Sequence, residues 1–302
     1  MWRYLRRADR GRAVLAGEAS AAAAAEARSG AARSLPAPAD PAAGADRTGA
    51  PIAFFDVDNT LMRGASIYHF ARGLAARDLF TTRDLLRFAW GQMLFRASGT
   101  EQPQQINAAR EAALAFVAGH DVDDLVGLCE EIYDDTMAGR IWEGTRRLVH
   151  RHLARGERVW LVTATPVELA DIIKRRLGLD GALGTVAETV DGVYTGRLVG
   201  DLLHGPAKAA AAEALARREG VDLDDCTAYS DSSNDLPLLA AVGRPNAVNP
   251  DDALRGHALA AGWPVHEFRT HRAALRVGVP AALTGAVAGG VAVTVLRRRT
   301  RR

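Results

Sequence analysis

The sequence predicts an α/β fold in which a parallel sheet is interrupted by an inserted all-helical segment. Short runs of apolar residues without charges, such as Ile52–Phe55, are typical of strands that are buried on both faces of a parallel sheet. Segments with helical periodicity separate these runs, as in βαβ units. From roughly Ile67 to His152 the apolar positions keep helical spacing and no strand-like run appears. We therefore expect a core formed by residues 51–65 and 146–268, with a helical cap at residues 66–145.

The individual elements follow from the same patterns. Strands are predicted at Ile52–Phe55, Arg158–Val162, Thr227–Ser230 and Ala247-Val248. Helices are predicted at Val167–Leu177 and Ala207–Glu219, and a further helix from Leu236. Asp191-Gly192, between two short β-prone runs, predicts a hairpin within residues 189–198.

Composition limits the class of protein. The 302 residues are 48% hydrophobic, enough for a sizeable core. The net charge is +2, but five of the 38 basic residues stand in the last six positions, and the remaining 33 face 36 acidic residues. A near-neutral body argues against nucleic-acid binding. Two cysteines far apart, Cys129 and Cys226, exclude a disulfide scaffold and a Cys-rich zinc site and indicate a reducing, cytoplasmic location.

Residues 1–50 have a different composition from the rest of the chain. Eighteen of the fifty are alanine, and the only aromatic residues are Trp2 and Tyr4. The basic segment Met1–Arg12 is not followed by an apolar stretch long enough for a secretory signal. We expect a disordered extension, with local helix through Ala21–Ala27.

Two aspartates, Asp56 and Asp58, directly follow the first predicted strand. Residues i and i+2 of an extended chain share a face, so both carboxylates should project together at the edge where open α/β sheets bind ligands. Such a pair repels itself unless a cation or a shared proton intervenes, and Mg²⁺ prefers oxygen ligands of this kind. One aspartate could then attack phosphorus, while the other exchanges protons with the leaving group and water. The alternative is an ordinary Asp/Asn turn.

Two further positions stand at strand and helix ends. Thr163 follows a predicted strand, where its hydroxyl can hold a phosphate oxygen, although it is also typical of an N-cap. Lys208 opens an alanine-rich helix, where a cation opposes the helix dipole. Only two of the 38 basic residues are lysine, so this compact charge indicates a role in screening a carboxylate and a phosphoryl group. The alternative is a solvated surface lysine.

The loop Ser230–Asp235 follows the third predicted strand. Asp231 falls at the strand end, where it can complete a magnesium site, and Asp235 can orient Lys208 or a bound water molecule. The alternative is a Ser/Asn/Asp capping loop. Four such features in this order, each at a strand or helix end, favour a catalytic site over four coincidences.

Four segments, FFDVDNT, LVTAT, GPAK and YSDSSNDLP, resemble the four motifs of the haloacid dehalogenase-like (HAD) phosphohydrolases. The chain is most similar to the phosphoserine-phosphatase-like branch, subfamily IB, which has a helical C1 cap. The resemblance covers about Pro51 to Phe268. It implies a Rossmann-like core and Mg²⁺-dependent phosphoryl transfer.

The resemblance also implies residue roles. Asp56 would be the nucleophile and Asp58 the general acid and base, a second acid that the dehalogenases of the family lack. Magnesium would be bound by the side chains of Asp56 and Asp231 and by the backbone carbonyl of Asp58. Four further residues would hold the phosphoryl group or support the site: Thr163, Lys208, Asn234 and Asp235.

Two positions depart from the phosphoserine phosphatases that this chain resembles. Their Glu nine residues after the nucleophile, which binds the substrate ammonium, is replaced by Ala65, and their Ser-Gly-Gly is Thr163-Ala164-Thr165. We therefore expect an Mg²⁺-dependent phosphomonoester hydrolase that acts on a small phosphorylated metabolite. The alternatives are a phosphoserine phosphatase proper, a phosphotransferase that uses an alcohol as acceptor, and a membrane-tethered HAD module without catalytic activity.

Residues 269–302 form a separate tail. Val277–Leu296 is twenty residues without a charge, the length of a membrane span, and arginines flank it on both sides. Gly285 and Gly289 would permit close helix pairing, whereas four glycines and Pro280 make insertion marginal. We expect an apolar helix that associates a cytoplasmic catalytic domain with a membrane, the alternatives being a core helix or a disordered tail.

Overall fold

The computed structural model describes residues 7–31, 47, 49–77, 114 and 117–269. The strands are β1 Ile52–Phe55, β2 Arg158–Pro166, β3 Gly181–Thr185, β4 Ala187–Val190, β5 Val193–Leu198, β6 Thr227–Ser230, β7 Arg244–Val248 and β8 Val265–His266. Six of them form one sheet in the order β3-β2-β1-β6-β7-β8, and every neighbouring pair in it is parallel. The predicted α/β fold with a parallel sheet is confirmed.

Helices occupy both faces of this sheet. They are α1 Arg7–Ala31, α2 Ser66–Ala75, α3 Val122–Ile132, α4 Glu143–Ala154, α5 Val167–Leu177, α6 Pro206–Glu219, α7 Leu236–Leu239 and α8 Asp252–Ala261. A π-helical turn at Tyr133–Met137 and a 3-10 turn at Ala138–Arg140 continue α3, and two further 3-10 turns lie at Leu223–Asp225 and Ser233–Asp235.

The central strand β1 divides the core into two layers. Its four side chains are fully buried: Ala53 and Phe55 belong to one apolar cluster, and Ile52 and Phe54 belong to the other. Because successive side chains of a strand alternate between faces, an uninterrupted apolar run is what a sheet covered on both sides requires. This places the end of β1, and whatever follows it, at the centre of one sheet edge.

The hairpin prediction is confirmed, while two strands of the six-stranded sheet, β3 and β8, were not predicted. β4 and β5 pair antiparallel around Asp191 and Gly192, whose φ angles of 51° and 78° suit a tight two-residue turn. β3 escaped prediction because its sequence, Gly-Ala-Leu-Gly-Thr, lacks a run of large β-prone residues. Packing requires its small residues, since a Cβ atom on Gly181 would lie 2.4 Å from the Trp160 ring.

The expectation of disorder through residues 1–50 is wrong for Arg7–Ala31, which forms the 25-residue helix α1 and contains the short helical stretch expected at Ala21–Ala27. One face of α1 is buried, and it consists of small residues at helical spacing: Ala13, Ala16, Gly17, Ser20, Ala21 and Ala24. A Cβ atom on Gly17 would lie 2.7 Å from the backbone of Ala210 in α6. Small side chains let the two helix backbones approach closely, so a core forms without large apolar residues.

Parts of the predicted cap and tail lie outside the described residues. Within residues 66–145, the regular elements of the described parts are helical, whereas residues 78–113, 115 and 116 are not described. Among the described residues, no helix combines the length and apolar character that a membrane crossing needs. The predicted span Val277–Leu296 lies outside the described residues.

Candidate active site

The first candidate residue, Asp56, stands at the end of β1, in the middle of the sheet. Its backbone N–H donates to the carbonyl of Tyr229 in β6, at 3.0 Å, and so continues the parallel ladder by one residue. Since β1 and β6 are in register and parallel, both end at the same edge, and Asp231 directly follows β6. Asp56 is 4% exposed. The sheet therefore carries two acidic residues of different motifs to adjacent strand ends.

Lys208 reaches this edge from the first turn of α6. The helix begins at Pro206, after Gly205, whose positive φ of 52° is a conformation that glycine adopts without strain. The Lys208 ammonium donates to Asp56 Oδ1 at 2.6 Å and to Asp235 Oδ2 at 2.7 Å. Burial works to lower the pKa of Lys208, but Asp235 and Asp56 outweigh it and raise the pKa above its ordinary value. The lysine is thus a permanent buried cation.

The loop after β6 fixes Asp235. Ser230 Oγ donates to Asp235 Oδ2 at 2.7 Å, and the N–H of Ser232 donates back to Ser230 Oγ at 3.1 Å. Asp251, the N-cap of α8, accepts from the N–H of Ser233 at 2.8 Å, and its own N–H donates to the carbonyl of Asp231, also at 2.8 Å. Sequence reasoning missed Asp251, although Asp-Asp before a helical segment is a capping signal.

Asp58 belongs to a second chain of hydrogen bonds. Its Oδ1 accepts from the N–H of Ser66 at 2.8 Å, and Ser66 Oγ bonds to Thr165 Oγ1 at 2.6 Å. Thr165 Oγ1 in turn lies 2.8 Å from Thr163 Oγ1. Ser66 and Thr165 were not predicted as site residues. Their signal is visible only in the fold, where both hydroxyl side chains are almost fully buried and connect the first motif to the second.

The acidic groups of the site raise one another's pKa. Burial raises the pKa of Asp56 to about 7, with Asp235 and Asp58 adding to the effect and Lys208 opposing it. Burial, together with Asp56 and Asp235, raises the pKa of Asp231 to about 8. Burial also raises the pKa of Asp58, while Ser66 opposes the shift. These directions indicate a site with more negative charge than its own cation neutralises.

The donor set fits a hard divalent cation. Four carboxylates (Asp56, Asp58, Asp231 and Asp235) share one ammonium, and the Asp231 carboxylate accepts one long hydrogen bond, 3.4 Å, from Thr60 Oγ1. In the described residues no three His, Cys, Asp or Glu side chains converge as a metal cage. Mg²⁺ does not need one, since one or two carboxylates with water and substrate oxygens suffice.

The predicted site residues thus fall into contacting groups. Asp56, Lys208 and Asp235 are in direct contact, and Asp58 and Thr163 are joined through Ser66 and Thr165. Asp231 contacts the first motif through Thr60. Asn234 donates from its side-chain amide to Ser232 Oγ at 3.3 Å, within the loop after β6.

Comparisons with known proteins cover the same part of the chain. The sequence profile of the haloacid dehalogenase-like hydrolases matches residues 53–240. A Mycobacterium tuberculosis protein named phosphoserine phosphatase SerB1 is 55% identical over 273 residues, which are 88% of each chain. A solved protein of unknown function from Bordetella pertussis Tohama I is 33% identical with a TM-score of 0.65, and the match covers 73% of this chain and all of that one.

A more distant solved structure shares the fold. It is a phospho-aspartyl intermediate analogue of phosphoserine phosphatase, 20% identical, with a TM-score of 0.52 over 73% of this chain and 94% of that one. Since the profile spans all four motifs and the tuberculosis relative matches along most of both chains, this chain belongs to the haloacid dehalogenase-like hydrolase family and is a phosphatase.

Proposed function

We propose that the protein is an Mg²⁺-dependent phosphomonoester hydrolase that acts on a small phosphorylated metabolite through an aspartyl phosphate on Asp56. The observation that carries this proposal is the position of the Asp56 carboxylate. It is buried at the central edge of the sheet and held 2.6 Å from the Lys208 ammonium, with three further carboxylates in the same site. A fixed carboxylate beside a permanent cation is suited to attack an anionic phosphoryl group.

In the first half-reaction an Asp56 carboxylate oxygen attacks phosphorus, and the bond between phosphorus and the ester oxygen breaks. The departing alkoxide takes a proton from Asp58. Two observations support Asp58 as this acid: burial raises its pKa, which keeps a proton available, and the Ser66 N–H fixes one of its oxygens at 2.8 Å.

In the second half-reaction the ionised Asp58 takes a proton from water as the water oxygen attacks phosphorus. The bond between phosphorus and Asp56 then breaks, inorganic phosphate leaves, and Asp58 is protonated again. We propose that Lys208 and Thr163 hold the phosphoryl oxygens during both steps, while Asp235 and Asn234 support the site. The pairing of Lys208 with Asp235 at 2.7 Å supports this division of roles.

Bound Mg²⁺ would supply the positive charge that offsets the carboxylates and the phosphoryl oxygens. The side chains of Asp56 and Asp231 and the backbone carbonyl of Asp58 would hold it. The excess of carboxylates over cations in the site supports this assignment.

We further propose that residues 66–145 act as a cap over this edge. The first cap helix, α2, begins eight residues after Asp58, and the Asp58–Ser66 hydrogen bond ties its first turn to the loop after β1. The name of the tuberculosis relative makes phosphoserine a candidate substrate. However, Ala65, the N-cap of α2, has no carboxylate that could bind an ammonium group, so we propose a small phosphate ester rather than phosphoserine as the substrate.

The test is Asp56→Asn, assayed with 4-nitrophenyl phosphate and Mg²⁺. We expect kcat to fall by at least about 10³-fold, because the amide cannot form the aspartyl phosphate, while the variant still unfolds cooperatively in urea. Chelation with EDTA should stop turnover by the unaltered protein, and added Mg²⁺ should restore it. Glycerol as a second acceptor separates hydrolysis from phosphotransfer, since only a transferase would form glycerol phosphate.

Asp191→Asn is the matched control. It makes the same chemical change in the exposed turn of the β4–β5 hairpin, where asparagine tolerates the positive φ. Its kcat should equal that of the unaltered protein. Undiminished turnover by a folded Asp56→Asn variant would refute the proposed nucleophile.

A further inference from the structure

A cavity of about 360 Å³ is lined by Arg63, Asp135, Thr136, Gly139 and Arg140. Small-molecule sites span roughly 300–1,000 Å³, so this volume suits the part of a small metabolite that lies beyond its phosphoryl group.

The cavity adjoins the loop that follows β1. Met62 forms single β-bridges with both Asp58 and Ile141, and the N–H of Arg63 donates to the carbonyl of Arg140 at 2.9 Å. The two chain segments that carry the cavity's arginines therefore run side by side, and one of them is continuous with the proposed general acid. A ligand in the cavity would lie next to the first motif.

His69 connects the cavity to Asp58 electrostatically. The His69 Nε2 donates to the carbonyl of Arg63 at 3.0 Å, and Thr136 Oγ1 lies 3.5 Å from the carbonyl oxygen of His69. Burial is the largest influence on the pKa of His69 and lowers it, whereas the hydrogen bond to Arg63 raises it. The charge of Arg140 lowers the pKa further, and that of Asp58 raises it. The pKa of the buried His69 ring therefore depends on both the Arg140 charge in the cavity and the Asp58 carboxylate in the active site.

The cavity carries positive charge that the described residues do not neutralise. Arg140 uses Nε to bond the carbonyl of Thr136 at 2.8 Å, and the Arg63 guanidinium lies 5.2 Å from the centre of the Trp142 ring. Neither guanidinium forms an ion pair with a carboxylate of the described residues. The cavity's own acid, Asp135, pairs with Arg77 at 2.7 Å instead.

We infer that the substrate carries a second anionic group, a carboxylate or a second phosphate, which binds between Arg63 and Arg140. This inference rests on the proposed phosphatase activity and specifies its substrate class. Guanidinium groups bind both anions through paired N–H donors, and they repel an ammonium group. The same cavity therefore disfavours esters whose only further charge is an amine.

Four esters of similar size test the inference: propyl phosphate, 3-phosphooxypropionate, propane-1,3-diol bisphosphate and O-phosphoethanolamine. We expect kcat/KM for 3-phosphooxypropionate or for the bisphosphate, which carry a second anionic group, to exceed that for propyl phosphate by roughly 10- to 100-fold. Phosphoethanolamine should have the lowest kcat/KM of the four. Which of the two is preferred distinguishes a carboxylate from a second phosphate.

Arg63→Gln and Arg140→Gln should each remove most of this preference, while kcat/KM for propyl phosphate stays within about two-fold. Gly139→Leu should do the same by filling the cavity, because a Cβ atom at Gly139 meets nothing within 4 Å. The matched control is Arg147→Gln, on an arginine whose side chain is 66% exposed and pairs with Glu143 on the surface of α4. It should leave the preference intact.

Equal kcat/KM for all four esters would overturn the inference and leave the phosphatase proposal standing. The same conclusion would follow if Arg63→Gln and Arg140→Gln lowered kcat/KM equally for every ester. Absence of turnover on every ester, 4-nitrophenyl phosphate included, would instead count against the proposed function. Calorimetry with 4-phosphonobutyrate and butylphosphonate then decides on the cavity, because binding needs no turnover. Tighter binding of the carboxylate compound that is lost in Arg63→Gln supports the inference, and equal binding overturns it.

Discussion

The two ends of α6 carry ionic clusters of opposite net charge, the first fully buried and the second only partly buried. At its N-terminus the Lys208 ammonium lies 2.6 Å from Asp56 and 2.7 Å from Asp235. At its C-terminus the Glu219 carboxylate lies 2.5 Å from Arg158 and 2.7 Å from Arg28. Both Lys208 and Glu219 oppose the helix dipole, so neither is placed to stabilise the isolated helix.

The two clusters differ in the balance of their charges. Around Lys208, burial and the mutual repulsion of carboxylates from the first and fourth motifs raise the pKa values of Asp56 and Asp231. Around Glu219, Arg158 also donates to the carbonyl of Ala50 at 3.2 and 3.0 Å, and the Arg28 side chain is 43% exposed to water. Backbone and solvent thus share the charge at this end. A buried ion cluster does not by itself mark an active site; uncompensated charge at the carboxyl edge of the sheet does.

Lys208→Met tests the first cluster and should have the largest effect. Removing the ammonium leaves Asp56 and Asp235 buried without their cation, which should lower the free energy of unfolding by about 3–5 kcal/mol and abolish turnover of 4-nitrophenyl phosphate. Urea denaturation and steady-state kinetics measure the two effects. Where the variant is too unstable to assay, lowering the temperature and adding Mg²⁺ should restore folding but not activity.

Lys174→Met is its control, since Lys174 is the only other lysine of the chain. It pairs with Asp171 at 2.6 Å within one turn of α5; the lysine side chain is 11% exposed and the aspartate side chain 27%. Because Asp171 keeps contact with water and with Arg175 when the ammonium is removed, the expected loss of stability is only about 1 kcal/mol, with unchanged kcat. Equal losses in both variants would mean that the cluster at Lys208 has no special role.

Glu219→Gln tests the second cluster and should affect stability alone. Arg158 is 3% exposed and would lose its carboxylate partner, but its bonds to Ala50 remain, so we expect a loss of about 1–3 kcal/mol. The kcat value should stay within two-fold. Glu18→Gln is the control, because the Glu18–Arg217 pair is exposed on both sides and should contribute little. A fall in kcat comparable with that of Lys208→Met would show that the two ends of α6 are coupled.

The charged residues of the first cluster could be predicted from the sequence, whereas the buried hydroxyl groups that hold the neighbouring Asp58 could not. Asp56 and Asp231 are conspicuous because each directly follows a predicted strand without charged residues, and ligands bind at the carboxyl ends of the strands in open α/β sheets. Ser66 is fully buried, but its partner Thr165 lies 99 residues away in the sequence. No local pattern reports a contact of that kind.

The second cluster and α1 were missed for a related reason. Alanine carries a weak hydrophobic signal, so an alanine-rich segment with few large side chains is typical of a disordered extension. Instead, α1 supplies a row of small residues at helical spacing. They can pack closely only because the facing side chains of α6 are also small. That complementarity is a property of two distant segments together, visible only once the fold brings Gly17 to the backbone of Ala210.

Gly17→Ala, compared with Gly11→Ala, tests whether this close approach holds α1 in place. A Cβ atom on Gly17 would lie 2.7 Å from the backbone of both Ala210 and Ala211, so the helices must separate, at a cost of about 1–3 kcal/mol of unfolding free energy. Gly11, in the same helix, has nothing within 4 Å of its Cβ position, and alanine there should stabilise the protein by about 0.5–1 kcal/mol.

Urea denaturation measures whether the free energy of unfolding falls in Gly17→Ala and rises in Gly11→Ala. The kcat of Gly17→Ala then tells whether the contact between α1 and α6 also affects the active site. Unchanged kcat in Gly17→Ala would mean that α6 tolerates displacement along its flank while its first turn keeps Lys208 on Asp56. A matching fall in kcat would mean that the alanine interface helps to set the position of the lysine. Equal stability of the two variants would contradict the packing of α1 on α6.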